Sequence, residues 1–222
     1  MSEGLILQED RGRTRILRLN RPEKRNALNR PLIEALLQAL EQAGGDDGIA
    51  AILLAANGAV FCAGADLGEM RALREDPVAA EARRALSKAL FAVPGWIGKP
   101  VVAALQGAAL GAGAALALGC DMAVLADEAV LGFPEARHGM LPALMAPVLL
   151  RHVPPRRAFE LLATGRDIPP AEALALGLVQ RVVPAAAVLD EAVTLAEAAA
   201  LLPPPDLLRL KELLMDGKAA PA

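Results

Sequence analysis

Short apolar runs alternate along this chain with longer stretches of helical periodicity. Residues 5–9 and 14–19 read as two strands joined near Gly12. Asn29 is placed to cap a helix with Pro31 in its first turn. Leu32, Leu36 and Leu40 recur at every fourth position and so share one helix face, and Gly44-Gly45 ends it. Residues 51–55 form a short apolar strand followed by turn chemistry at Asn57-Gly58. Residues 77–92 repeat the amphipathic pattern, 101–105 are a wholly apolar strand, a helix opens at Gly111 or Ala112, and 122–126 are the next strand. Beyond Pro134 the pattern is mainly helical, at 147–153, 156–163 and 170–176. A strand at 178–183 and helices at 189–202 and 206–215 follow, the last two separated by Pro203-Pro204-Pro205. Strands alternating with helices imply an α/β core over residues 1–190, with a helical C-terminal segment over 191–222.

Composition matters here for what it removes. Hydrophobic residues make up 55% of the 222 and charged residues 22%, the reverse of the balance that keeps a chain unfolded. The net charge is −3 and no basic block occurs, so no nucleic-acid partner is expected. The uncharged run 101–120 is long enough to span a bilayer. It is mostly Ala and Gly, however, contains Gln106 and runs straight into Asp121, and the Leu, Ile and Phe that drive insertion are sparse. It reads as a buried strand, a glycine turn and a buried helix, and no membrane partner is expected. Cys62 and Cys120 are too few for a disulfide framework, and the first ten residues lack the basic and apolar regions of a secretion signal. A reduced, cytoplasmic protein is expected.

Titratable chemistry is scarce. There is no tyrosine, and the two histidines are His138 and His152. Glu135-x-x-His138 is half of a carboxylate–histidine metal pair without its second half, so no metal site is expected. The small-residue run from Gly107 to Gly113 follows a buried strand and opens a helix. Its spacing departs from the dinucleotide fingerprint. Close helix–strand packing is one reading. The other is a helix start whose bare N–H groups, with the helix dipole behind them, seat an anion or a developing oxyanion. The loop from Phe61 to Leu67 has the same character: Gly64 frees the backbone and Ala65 leaves its N–H unshielded. Two such loops after two strands suggest two donors converging on one oxygen. Glu135 sits near Leu131, Phe133, Met140 and Leu141 in sequence, and apolar surroundings would raise its pKa and suit it to acid and base work. A solvated glutamate at a helix start is the plainer alternative, and the residues alone lean towards it.

The ordered set of motifs resembles one family. It comprises Asn20-Arg21-Pro22-Glu23-Lys24-Arg25-Asn26-Ala27-Leu28, Phe61-Cys62-Ala63-Gly64-Ala65-Asp66-Leu67 and Lys99-Pro100-Val101-Val102-Ala103-Ala104-Leu105-Gln106-Gly107, then Gly111-Ala112-Gly113 and Cys120-Asp121. Phe133-Pro134-Glu135, Leu161-Leu162-Ala163-Thr164-Gly165 and Gly177-Leu178-Val179 complete it. From about Leu5 to Met215 the chain resembles the crotonase (enoyl-CoA hydratase/isomerase) superfamily. The resemblance implies an α/β crotonase (ClpP-like) spiral of ββα units with C-terminal helices, assembled as a homotrimer or homohexamer. It implies an acyl-CoA thioester substrate, with coenzyme A as part of the substrate and no separate cofactor. It places the two oxyanion-holding N–H groups at Ala65 and Ala112 and the acid/base at Glu135. Coenzyme A would run along Lys24, Arg25 and Ala27, with its adenine on the backbone of Ala63, Gly64, Asp66 and Leu67, and with Lys211 and Lys218, of the same or a neighbouring subunit, adding positive charge.

The chain also departs from the family pattern. Hydratases of the family usually carry a second glutamate, at the position of Ala115, and glycine at that of Ala112. A 1,3 proton shift needs one mobile base, and family isomerases often keep only the glutamate that matches Glu135. Against this, the stretch from Gly139 to Pro147 looks like the proline-containing form of hydratase-like members such as bacterial methylglutaconyl-CoA hydratases, some of which also lack the first glutamate. Asp66 and Glu69 are candidate substitutes for the missing carboxylate. The C-terminal segment is short for the family. An enoyl-CoA hydratase-like enzyme is therefore expected. The alternatives are a 3,2-enoyl-CoA isomerase, or a catalytically weak homologue that binds acyl-CoA.

Overall fold

The structure, a computed structural model, describes residues 4–216. Strands β1 (Ile6–Arg11) and β2 (Thr14–Leu19) form an antiparallel hairpin across Gly12, which takes a φ of +58°. Helix α1 (Arg30–Gly45) starts where Asn29 Oδ1 accepts the Leu32 N–H at 3.1 Å, and it buries Leu32, Leu36 and Leu40 together, as their spacing requires. Strand β3 (Ala51–Ala56), helix α2 (Leu67–Ala72), helix α3 (Pro77–Ala92), strand β4 (Val101–Leu105) and strand β5 (Ala109–Leu110) follow. Helix α4 (Ala112–Gly119) is buried at every position, which explains its Ala, Gly and Leu composition without polar residues. The run 101–120 is thus strand, turn and helix, and no helix of the described residues is long and apolar enough to cross a membrane.

Strands β6 (Met122–Ala126) and β7 (Leu131–Gly132) lead to the helical part: α5 (Ala146–Leu149), α6 (Pro155–Thr164), the short strand β8 (Asp167–Ile168), α7 (Pro170–Ala175), strand β9 (Arg181–Val183), α8 (Val188–Ala199) and α9 (Pro204–Asp216). One sheet runs β1-β2-β3-β4-β6-β9, parallel throughout except for the first hairpin, and a small sheet runs β5-β7-β8. Every residue of β3 and β4 is buried, the signature of parallel strands covered on both faces. Helix α8 packs against β2, β3, β4 and β6, so the division expected at 190/191 falls inside a helix that belongs to the core.

Two elements are shorter than their patterns predict. The strand expected at 178–183 begins only at Arg181, because Gly177 (φ +72°) and the Leu178 N–H, bonded to Ala173 O at 2.9 Å, close the end of α7. The helix expected at 147–153 gives way to turns after Leu149. Helix α2 carries too few apolar repeats to be seen by periodicity; its signal is the cap, Asp66, which accepts the N–H groups of Gly68 and Glu69.

Candidate active site

Four backbone segments lie side by side at the C-terminal end of the central strands. Leu28 bridges Ala65, Cys62 bridges Ala109, and β5 pairs in parallel with β7. Glu135 follows β7 on a short 3-10 helix, Pro134–His138, that starts after the buried Phe133. Gly111 follows β5 and donates its N–H to Gly132 O at 2.8 Å. Its φ is +53°, and a side chain there would run into Glu135 Oε1, with Cδ 3.4 Å away. The carboxylate therefore rests against the first turn of α4. Gly64, with φ +102°, closes the other side: a Cβ on it would stand 2.9 Å from Leu110 O and 3.6 Å from Ala112 N. These two glycines let three loops meet.

Ala65 N–H and Ala112 N–H have no acceptor among the described residues. Each belongs to a peptide unit whose carbonyl is held. Gly64 O accepts the Leu28 N–H at 2.8 Å, and Gly111 O accepts the Ala115 N–H at 2.9 Å. In a trans peptide the C=O and N–H point opposite ways, so anchoring the carbonyl aims the donor. Glu135 Oε2 is buried with no hydrogen-bond partner among the described residues. Burial pushes the Glu135 carboxyl pKa up, against the opposing pull of its own backbone N–H and of His138. Two fixed dipoles beside a carboxyl group of raised pKa can hold an oxygen that gains charge while a neighbouring proton moves.

The other expected residues divide. Lys24 and Arg25 are exposed on the loop before Leu28, and neither side chain has a partner among the described residues. Ala27 and Ala63 are half-buried in the same neighbourhood: Ala27 O accepts from Arg21 at 3.0 Å, and the Ala63 N–H donates to Arg25 O at 3.0 Å. Leu67 is exposed beside them. The Asp66 side chain is engaged, capping α2 and pairing with Arg21 Nη1 at 2.6 Å, which holds its carboxyl below the usual range. Glu69 is engaged too, accepting the Arg30 N–H at 2.7 Å. Neither is a free substitute for the carboxylate missing at Ala115, whose methyl is fully buried.

Lys211 needs correction. It stands at the opposite end of α4, about 12 Å along the helix from Ala112 at 1.5 Å per residue, beside a cavity of about 560 Å³. Its ammonium is buried against Pro94 O, Ile97 O and Lys99 O at 2.8–2.9 Å and against Asp121 at 2.6 Å. With its donors saturated it clamps the C-terminal helix to the core and is not available to a phosphate. Lys218 lies outside the described residues. Asn26 was overlooked: fully buried at φ +53°, it accepts the Arg21 N–H and donates to Asn57 O and Val60 O, each at 2.9 Å. An asparagine before Ala27-Leu28 was the available signal, because this side chain tolerates the left-handed region by bonding locally.

The family profile described as enoyl-CoA hydratase/isomerase matches residues 13–220. The chain is 40% identical over 211 residues to a Thermus thermophilus protein provisionally named an enoyl-CoA hydratase, covering 95% of this chain and 83% of that one. The crystal structure of an enoyl-CoA hydratase from a Polaromonas species superposes with a TM-score of 0.91 at 34% identity, over 98% of this chain and 86% of the other. A monofunctional enoyl-CoA isomerase of Mycobacterium smegmatis superposes with a TM-score of 0.82 at 26% identity, over 99% and 96%. With the profile spanning nearly the whole chain and the fold overlapping these enzymes over at least 98% of this chain, this protein belongs to the enoyl-CoA hydratase/isomerase family and has the crotonase fold.

Proposed function

We propose that this family member acts on enoyl thioesters of coenzyme A, with the Ala65 and Ala112 N–H groups holding the thioester oxygen and Glu135 as the single acid/base. The observation that carries the reading is that two N–H groups without acceptors among the described residues stand on loops that meet beside one carboxyl group of raised pKa. When charge develops on the thioester oxygen, the two dipoles are already aimed, so no solvent reorganisation is needed. Lys24 and Arg25, exposed and without partners among the described residues, meet the phosphates of coenzyme A beside the backbone of Ala63 to Leu67.

The net reaction proposed is hydration. Water adds its hydroxyl to C3 and a proton arrives at C2, and Glu135 serves both transfers through its two oxygens. The similarity to hydratase-named relatives supports this. A second reading has a specific observation behind it: Ala115 offers only a methyl, and Asp66 and Glu69 are engaged. That set suits a 3,2-isomerase, in which Glu135 takes the C2 proton and returns it at C4. Both reactions pass through a thioester enolate, a 3-hydroxyacyl enolate in hydration and a conjugated dienolate in isomerisation, and the same two N–H groups hold its oxygen. Mixing purified protein with crotonyl-CoA and, separately, with a 3-enoyl-CoA separates them. Loss of the conjugated enoyl absorbance with crotonyl-CoA is hydration. A gain with the 3-enoyl substrate and no loss with crotonyl-CoA is isomerisation. No change with either leaves a homologue that only binds acyl-CoA. A homotrimer or homohexamer is proposed on the family resemblance, with sedimentation equilibrium as its test.

A further inference from the structure

Arg83 is a cation in the interior of α3 that the proposed chemistry does not use. Its side chain is 6% exposed. The guanidinium donates in three directions: Nη2 to Leu28 O at 2.6 Å, Nε to Glu69 Oε2 at 2.7 Å, and Nη1 to Ser87 Oγ at 2.5 Å. A planar fork can satisfy three such acceptors at once, and a lysine ammonium cannot match their directions. Taking a guanidinium out of water is costly, and replacing a buried ion pair by apolar side chains is often neutral or stabilising. The bonds must therefore be valued for what they hold in place.

They hold the first oxyanion loop. Leu28 O receives both Arg83 and the Asp66 N–H, the latter at 3.1 Å, and Leu28 N–H is the group that anchors Gly64 O at 2.8 Å. Gly64 O and Ala65 N–H are two ends of one peptide unit. The relay is therefore guanidinium, Leu28 backbone, Gly64 carbonyl, Ala65 N–H. Glu69, the ionic partner of Arg83, also accepts the N–H of Arg30 at the start of α1, so the same arginine fixes α1, α2 and α3 around the loop. Among the described residues no comparable side chain backs the Ala112 N–H, whose peptide carbonyl, Gly111 O, is held by the Ala115 N–H of α4 itself. A donor on a loop needs outside support; a donor on a helix start does not.

We propose that Arg83 is a positioning residue for the Ala65 N–H, holding Leu28 and through it the Gly64–Ala65 peptide in the orientation that meets the thioester oxygen. This rests on the reading of Ala65 as an oxyanion donor. The test compares Arg83→Met and Arg83→Lys with a control, Lys99→Met, which removes a different buried cation that caps the far end of α1 by bonding Ala43 O and Asp46 O. Three quantities are read at a temperature where each variant is folded: kcat and KM, the Kd of free coenzyme A, and the infrared stretch of the ¹³C-labelled carbonyl in bound butyryl-CoA, a saturated thioester that cannot turn over. Arg83→Met is expected to lower kcat about 100-fold, the scale of an ångström-size misplacement. Coenzyme A affinity holds, and the bound carbonyl stretch returns towards its value in water. Arg83→Lys falls between, and Lys99→Met loses thermal stability without either change. An unchanged carbonyl stretch in Arg83→Met, or a kcat loss equalled by Lys99→Met at the same loss of Tm, overturns the proposal. Should Arg83→Met not fold, Arg83→Lys decides on the same readouts. A wild type that turns over substrate without shifting the bound carbonyl refutes the oxyanion reading itself, and this proposal with it.

Discussion

Replacing Glu135 with glutamine keeps the size of the side chain and deletes its proton chemistry. The structure sets the size of the effect. Asp66 is tied to Arg21 and Glu69 to the start of α1, and Ala115 carries no carboxylate, so nothing nearby takes over. The two N–H donors are main-chain groups and survive. General acid–base catalysis contributes about 10²–10⁴-fold, and with no substitute the loss belongs in the upper part, about 10³–10⁴ in kcat. At 1.36 kcal/mol per decade that is about 4–5.5 kcal/mol of barrier. Coenzyme A affinity is expected to hold, because Lys24 and Arg25 are untouched. Stability moves the other way. Burial raises the Glu135 pKa, so the folded state favours the protonated form. That stabilisation is complete below the ordinary value of 4.5 and is lost as pH rises through the raised folded-state value. At a pH above that raised value the wild type therefore carries an unfavourable buried charge that glutamine removes. Each 1 kcal/mol so relieved raises Tm by about 2–4 °C in a domain of this size. The assays are enoyl-thioester absorbance for turnover, calorimetric titration for coenzyme A and thermal melts from pH 4 to 8. A kcat within about tenfold of wild type would remove Glu135 from the mechanism, and a Tm difference from wild type that does not shift in favour of glutamine between pH 4 and 8 would refute its unfavourable burial.

Three further outcomes follow from the same geometry. Gly111→Ala puts a methyl against Glu135 Oε1 at a φ of +53°; a strain of about 1–3 kcal/mol and a kcat loss of about 100-fold are expected in melts and kinetics, and wild-type kcat would mean the carboxylate does not sit there in turnover. Lys211→Met leaves three carbonyls and the partly buried Asp121 without their cation, so a loss of up to about 3–5 kcal/mol is expected in denaturant unfolding. Coenzyme A affinity should be unchanged, and weakened binding by the folded variant would restore Lys211 to the site. Ala115→Glu supplies the absent second carboxylate; the ratio of hydration to isomerisation is expected to rise at least tenfold, and an unchanged ratio would show that this face of α4 does not reach the substrate.

The legible parts of the sequence were those with strong local signals. Strands 14–19, 101–105 and 122–126 and the helix at 77–92 stand at the expected residues, because the β-favouring Ile-Leu pair of the first strand, the uninterrupted apolar runs of the other two and a Pro at the helix start leave little choice. Residue physics raised both glycine loops and Glu135 as candidates while leaning towards a solvated Glu135. It could not show that Glu135 lies against Gly111, since that contact joins two segments through β5–β7 pairing. The ordered motifs, not periodicity, carried the family. Lys211 was misplaced for a related reason: a lysine on a C-terminal helix looks solvated until the fold shows three carbonyls and Asp121 around it. Arg83 gave no signal at all, because an arginine on an amphipathic helix is ordinarily on its polar face.

The donors proposed at positions 65 and 112 are backbone atoms, and this shapes how the gene can change. Among the twenty amino acids only proline deletes an N–H, so most codons at 65 and 112 preserve the donor itself and alter only what surrounds it. The neighbours have no such latitude. Gly64 and Gly111 sit at φ +102° and +53° with a carbonyl or a carboxylate where a Cβ would go. In a saturation-mutagenesis map the intolerant columns would therefore stand one residue before each donor. A reader of such a map who equated intolerance with chemistry would assign the oxygen-holding contacts to two residues that supply neither N–H group.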